Sequence, residues 1–322
     1  MEIFRLEPDI SLIDIAPPIP GFQGILGTYV IQAGKIALID VGPSSSLENL
    51  FACLAELRIN PADVSYILCS HIHLDHSGGV GSAIKRMPNA ACIAHEKGKY
   101  HLANPAKLWQ ASLQTLGKLA QDYGEPQPVD ENRLIAAHEG MLIDLGGLQL
   151  EVILTPGHAS HHMSFLDRKK GRLFAGEAAG VSFPARGGSR PATPDPFDLR
   201  QAFTSLDKLI AAGPTQIFYA HFGSAPEAVE RLKQFKKQLL LWGKIIVGHL
   251  DDQAEWPEIL EEIKARDNAL ADLLKLPKDN LQREFDFIKN NILGYRKYLK
   301  KEGAGVLEEL FGDQLTVESD EG

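Results

Sequence analysis

Four potential metal donors fall within six residues, in the run His71-Ile72-His73-Leu74-Asp75-His76. Borderline ions such as zinc favour imidazole and accept carboxylate, so this density of donors is enough to begin two metal sites. In extended backbone, residues two apart project to one side, which points His71 and His73 together while Leu74 turns to the core. Asp75 and His76 then fall on the turn ahead of Ser77-Gly78-Gly79, which can open a helix. Three more donors follow strand-like runs: His158 after EVILTP, Glu177 after RLFAG and His221 after QIFYA. Loops beyond strand ends are where α/β architectures place their sites, so these seven donors are expected to converge on one edge.

Such convergence needs strands and helices to carry the donors there. LGTYVIQ and IALID, separated by Ala33-Gly34, read as a hairpin, and VSYILCS and ACIAH as buried strands. SSSLENLFACLAELR and GGVGSAIKRM read as helices between them. Trp109, Leu113, Leu116 and Tyr123 recur at helical spacing and predict one inserted helix over 105–123, the heart of a helical insertion at about 100–125. The strand pattern returns in MLIDLGGLQLEVILTPGH, around a Gly-Gly turn, and in MSFLDRKKGRLFAGE, a hairpin turning at 169–171. Residues 184–196 hold four prolines and two adjacent glycines, a composition for a shaped loop. Asp198 precedes a helix through Ile210. Beyond Pro226 two apolar stripes follow helical spacing, Val229 to Ile246 and Leu281 to Leu299, with 256–274 between them. The expected organisation is an α/β (α+β) unit over 1–225, a helical region over 226–315 and an acidic tail at 316–322.

The whole chain has 322 residues, 44% hydrophobic and 23% charged, which fits a folded globular protein with a sizeable core. No apolar run approaches the ~18 residues that span a bilayer, so no membrane partner is expected. A net charge of −9 disfavours the basic surface that nucleic-acid binding requires. Three cysteines, Cys53, Cys69 and Cys92, fit buried thiols better than a disulfide framework, and MEIFRLEPDISLID lacks the basic start and apolar stretch of a secretion signal. A cytoplasmic location is the expectation.

The residues over about 1–225 resemble the metallo-β-lactamase superfamily, whose fold is an αββα sandwich. The resemblance rests on Ile39-Asp40-Val41-Gly42 at a strand end, HxHxDH at 71–76, Thr-Pro-Gly-His at 155–158 and the late His221. It implies two divalent metal ions, zinc first with iron or manganese as alternatives. His71, His73 and His158 would hold one ion, Asp75, His76 and His221 the other, with Glu177 bridging where the family usually has Asp. Asp40 would hydrogen-bond the metal-binding loop and orient its histidines. The implied activity is a dinuclear hydrolase of the glyoxalase II-like or lactonase-like branch. A metal-bridging hydroxide would attack a thioester or lactone carbonyl while Asp75, the catalytic acid–base, holds it and carries its proton.

Other residues are candidates for meeting a small-molecule substrate: His162, close behind His158; Tyr219, two before His221; and Arg186 and Arg190 in the proline-rich loop, which could pair with an anionic group. A regulatory or ligand-binding protein with slow turnover is the competing reading, motivated by the inserted helix and the helical last third, which could close a metal cleft. The C-terminal stripes must be covered, by packing on the sandwich and narrowing the pocket or in a homodimer.

Overall fold

The computed structural model describes residues 2–183, 188–250 and 255–311. Two sheets stack face to face. The first holds β1 (Ile3–Glu7), β2 (Ile10–Asp14), β3 (Gly27–Gln32), β4 (Ile36–Ile39), β5 (Val64–Leu68), β6 (Ala91–His95) and β7 (Leu134–Ala137) in sequence order. Its first four strands are antiparallel and β4 to β7 run parallel. The second sheet comprises β8 (Leu142–Asp144), β9 (Gln149–Leu154), β10 (Met163–Asp167), β11 (Arg172–Gly176), β14 (Gln216–Tyr219) and β15 (Ser224–Pro226). Its order is β15-β14-β11-β10-β9-β8, with β11 and β14 parallel. A two-strand ribbon pairs β12 (Val181–Ser182) with β13 (Ser189–Arg190), and β13 falls inside the 184–196 stretch that the sequence reads as loop throughout.

Strand alternation builds the layers. Tyr29, Ile31, Ala37, Ile39 and Leu68 face Val152, Met163, Phe165, Phe174 and Phe218 across the space between the sheets. Their neighbours Val30, Leu38, Ile67, Leu166 and Leu173 point the other way, into the helices. Both faces of each sheet are therefore covered, which explains why the strands read as nearly continuous apolar runs. The result is an αββα sandwich with a helical C-terminal region.

Helices α1 (Leu47–Glu56), α2 (Leu74–Ser77), α3 (Val80–Arg86) and α4 (Glu96–Ala103) accompany the first sheet. The expected inserted helix is two, α5 (Ala106–Leu116) and α6 (Lys118–Tyr123), broken at Gly117, whose φ of 56° no helix accepts. Asp198 caps α7 (Leu199–Ala211) by accepting the Gln201 N–H at 3.0 Å. The last third forms α8 (Ala228–Gly248), α9 (Trp256–Arg266), α10 (Asn268–Leu273), α11 (Lys278–Glu302) and α12 (Gly305–Phe311). Their stripes are buried within the molecule: Leu239, Trp242 and Ile246 of α8 and Ile288, Ile292 and Tyr295 of α11 join the helix-side core. None of the helices among the described residues is long and apolar enough to cross a membrane.

Candidate metal centre

Parallel pairing carries β5 to an abrupt end at Leu68, and the chain leaves the sheet as Cys69-Ser70-His71-Ile72-His73 before α2 begins. Asp75 and His76 sit in the first turn of that short helix. Asp40, at the end of β4, reaches over to fix this segment. It accepts the Ser70 N–H at 2.8 Å, the Ser70 hydroxyl at 2.7 Å and His76 Nδ1–H at 3.0 Å. Three donors converging on one carboxylate explain why Asp40 stays in left-handed backbone, φ 53°, at a cost of about 1 kcal/mol. Because the Ser70 hydroxyl donates to Asp40, it accepts from His71 Nδ1 at 3.0 Å, so the His71 proton is on Nδ1 and Nε2 is bare.

On the second sheet the same logic repeats. His158 Nδ1 donates to the Ala192 carbonyl at 2.9 Å, which aims Nε2 at Glu177. That carbonyl is held by α11, whose Asn291 accepts the Thr193 N–H at 2.9 Å and donates to the Pro191 carbonyl at 2.8 Å. Glu177 follows β11 after Gly176, which has φ 60° and no room for a Cβ against the His162 ring. The Glu177 N–H donates to His162 Nε2 at 2.9 Å, so His162 Nδ1–H donates to the Thr155 hydroxyl at 2.8 Å and the relay continues through Ser164 to the Ala175 carbonyl.

These supports aim seven side chains at one another. The ligating atoms of His71, His73, His158 and Glu177 lie within 4.8 Å of one another, as do those of Asp75, His76 and His221. His73 Nδ1 is 3.0 Å from both His71 Nε2 and His158 Nε2. The Glu177 oxygens divide between the groups: Oε2 lies 2.8 Å from His158 Nε2 and 3.3 Å from His71 Nε2, and Oε1 lies 2.9 Å from His221 Nε2. Ligands around one small cation at Zn–N distances of ~2.0–2.1 Å sit about 3.3 Å apart, close to this spacing. The bare Nε2 of His71 turns its lone pair inward against His73 Nδ1, and buried His76 Nε2 has no hydrogen-bond partner among the described residues. Lone pairs facing lone pairs repel unless a cation lies among them, so the donor set fits a metal.

Electrostatics agree. Burial holds His71 well below the ordinary imidazole range, helped by His76 and His73, and lowers His73 to about 4 with His158 adding to the effect. Burial works against charge on His76 too, yet Asp75, Asp40 and Glu177 outweigh it and raise that imidazole to about 10. Glu177 is likewise held well below the carboxylate range by His158, His221 and His71 despite its burial. The pocket attracts positive charge. It opens at His73 and Asp75, the two members that are only half-buried.

The remaining candidates fall elsewhere. His162 supports the Glu177 backbone, as above. Tyr219 is buried, with its hydroxyl held by Ser182 and Arg231. Arg190 is 3% exposed and donates to Glu284 of α11 at 2.5 Å; Arg186 lies outside the described residues. The sequence reading passed over Ser70 and Asn291. Ser70 was visible as the small polar residue before the first histidine, whereas Asn291 carries no local signal. His161 stacks on His71 with ring centroids 6.2 Å apart.

The family model of the metallo-beta-lactamase superfamily matches residues 26–221, and the chain belongs to that superfamily of metal-dependent hydrolases. The metallo-beta-lactamase fold-containing protein ST1585 of the archaeon Sulfurisphaera tokodaii is 31% identical over 219 residues, 66% of this chain and 79% of its own. Its crystal structure superposes with a TM-score of 0.69 at 25% identity, covering 89% of this chain and 98% of that one. Atrochrysone carboxyl ACP thioesterase of Aspergillus fumigatus is 25% identical over 315 residues, 90% of this chain and 84% of its own. The N-acyl homoserine lactonase AttM of Agrobacterium fabrum is 35% identical over 112 residues, which are 35% of this chain and 39% of the lactonase.

Proposed function

We propose that this chain is a dinuclear metallohydrolase that cleaves an ester-like carbonyl, a thioester or a lactone. The observation that carries the reading is the pair of convergent, buried donor groups of imidazoles and carboxylates. In it His71, His73 and His158 would hold one ion and Asp75, His76 and His221 the other, with Glu177, whose oxygens lie near His158 and His221, as the shared carboxylate. When bound, divalent ions such as zinc supply Lewis acidity and a water acidified toward neutrality.

The protein's own groups do the rest. Asp75, at the open side of the cluster, accepts a hydrogen bond from the attacking water and orients its oxygen toward the carbonyl carbon. As the carbon–oxygen bond to that water forms and the carbon–sulfur or carbon–oxygen bond to the leaving group breaks, Asp75 takes the water's proton and returns it to the departing atom. Asp40 and Ser70 keep His71 and His76 in the tautomers that leave Nε2 free, and Ala192 does so for His158. The lactonase and thioesterase names among the relatives support the substrate class.

The test is a panel of thioesters, lactones and simple esters offered to purified protein of measured metal content, before and after chelation. Release of product that stops on chelation and returns with metal is expected. Metal-replete protein that turns over none of them would favour the ligand-binding reading, for which the helices around the cleft speak.

A further inference from the structure

Glu284 on α11 is 1% exposed and faces two guanidinium groups, those of Arg190 and Arg283. One carboxylate between two cations leaves an excess positive charge in the interior, which is costly unless an anion offsets it. The excess is on Arg283. It is 7% exposed, and burial pulls its pKa down. Its only salt bridge among the described residues is to Glu284, through Nη2, and Nε and Nη1 have no hydrogen-bond partner there. A carboxylate engaging Nη2 occupies one edge of the guanidinium, so the other edge still presents two parallel N–H donors.

Two aromatic rings connect this guanidinium to the metal centre's neighbourhood, since α6, which ends at Tyr123, packs on α2, which carries Asp75 and His76. The guanidinium stacks on Phe22 at 5.1 Å, and Phe22 meets Tyr123 edge-on at 5.8 Å. The buried Tyr123 hydroxyl also lacks a partner among the described residues. Burial raises its pKa, with Asp75 adding to the effect and Arg283 opposing it. On the outer side Arg283 lines a cleft of about 480 Å³ with Phe22, Leu116, Leu119 and Phe287. The acids at that cleft, Asp279 and Asp286, are exposed at its mouth and leave Arg283 unpaired by either.

We infer that Arg283 and Tyr123 form an anion-recognition point for the substrate, and that the ester-like substrates of this site carry a carboxylate remote from the scissile carbonyl. The inference rests on the hydrolase reading for its substrate, while the recognition point itself is testable without turnover. The probes are succinate, glutarate, adipate and pimelate, each against the monocarboxylate of the same length, titrated calorimetrically into metal-loaded protein. Both members of a pair offer one carboxylate to the metal centre, so their difference reports the second.

A charged hydrogen-bond pair gives about tenfold or more, so at least one dicarboxylate should bind about ten times more tightly than its partner. Arg283→Met should erase that preference without lowering the melting temperature, since Glu284 keeps Arg190 as its partner and the excess buried cation is removed, and Arg283→Lys should restore part of it. A parent with no preference at any length, or an Arg283→Met protein that keeps one, overturns the inference. Should Arg283→Met unfold, Tyr123→Phe decides by the same measurement: a preference cut severalfold supports it and an intact one refutes it. Hydrolysis of monophenyl glutarate and phenyl valerate separates the two readings. Selective binding without hydrolysis of either ester leaves the recognition point standing and removes the hydrolase.

Discussion

Strand β11 has a charged cluster at each end, and the two are built oppositely. At its start, Arg172 is 2% exposed and saturated: Asp167 accepts from Nε at 3.0 Å and from Nη2 at 2.7 Å, and Asp9 accepts from Nη1 at 2.8 Å. Lys170 adds a second cation on Asp9 at 3.1 Å, so two positive charges meet two negative ones and nothing is left over. Just past the strand's other end, the single carboxylate of Glu177 is set among His71, His158 and His221, and buried His76 Nε2 and His221 Nδ1 have no hydrogen-bond partner among the described residues. Five residues separate a cluster that closes on itself from one that is complete only with something from outside. Burial is common to both; the mismatch between donors and acceptors marks the functional one.

The comparison breaks hardest at Glu177. Glu177→Ala removes the anion shared by both donor groups, and the weaker-held ion should be lost together with about a thousandfold of hydrolysis. Glu177→Asp keeps the charge but shortens the reach in a backbone fitted to Glu, and should do less harm. Metal stoichiometry measured beside the rate decides: two ions per chain and the parental rate in Glu177→Ala would end the bridging assignment. His73→Ala should likewise lower metal content clearly, since it removes one of three imidazoles.

The closed end should fail in a different currency. Arg172→Met leaves Asp167 buried without its cation, which should cost about 3 kcal/mol of stability in denaturant unfolding. Metal content should stay at the parental value. Loss of metal from this variant would show that the two ends are coupled and that the contrast is false. Between these extremes, Asp40→Ala frees His71 and His76 to turn and should weaken metal binding by about ten- to a hundredfold, measured by competition with a chelator.

The open end was legible in the sequence because each donor directly follows an apolar strand run, where the alternating pattern stops and a polar side chain must face the edge. The sandwich was legible for a related reason: its strands are buried on both faces and read as continuous apolar segments. Of the groups that hold the donors, Asp40 entered through the family resemblance, and the others were not legible. Ser70 looks like any strand-end serine, Asn291 lies on a helix about a hundred residues from the loop it clamps, and nothing in Ile39-Asp40-Val41 announces a left-handed φ. The N-terminal hairpin β1–β2 was missed because β1 is half-exposed and mixes charged with apolar residues. Arg190 misled through its loop context, since its partner Glu284 is in the region expected only to cover the sandwich.

The smallest expected effect tests whether the closed cluster is held by charge. Asp9 lies at the turn between β1 and β2 and bridges the first sheet to Arg172 of the second. Its hydrogen bonds with Arg172 lower its pKa from 3.8 to about 2, against the opposing pull of burial. A carboxyl with a depressed folded pKa contributes stability that is complete above the unfolded value and disappears as pH falls through the folded one. Asp9→Asn should therefore lower stability by about 1 kcal/mol at neutral pH, a modest sum because solvent screens the partly exposed carboxylate. The difference between parent and variant should hold from neutral pH down to about 5, shrink between about 4 and 2, and vanish below. Any metal lost in acid is lost from both proteins, and the site is too remote to couple to Asp9, so it cancels in the difference. A parent–variant gap that does not change across this range would mean that Asp9 acts through packing or neutral hydrogen bonds, and the charge balance drawn for that end of β11 would need another anion.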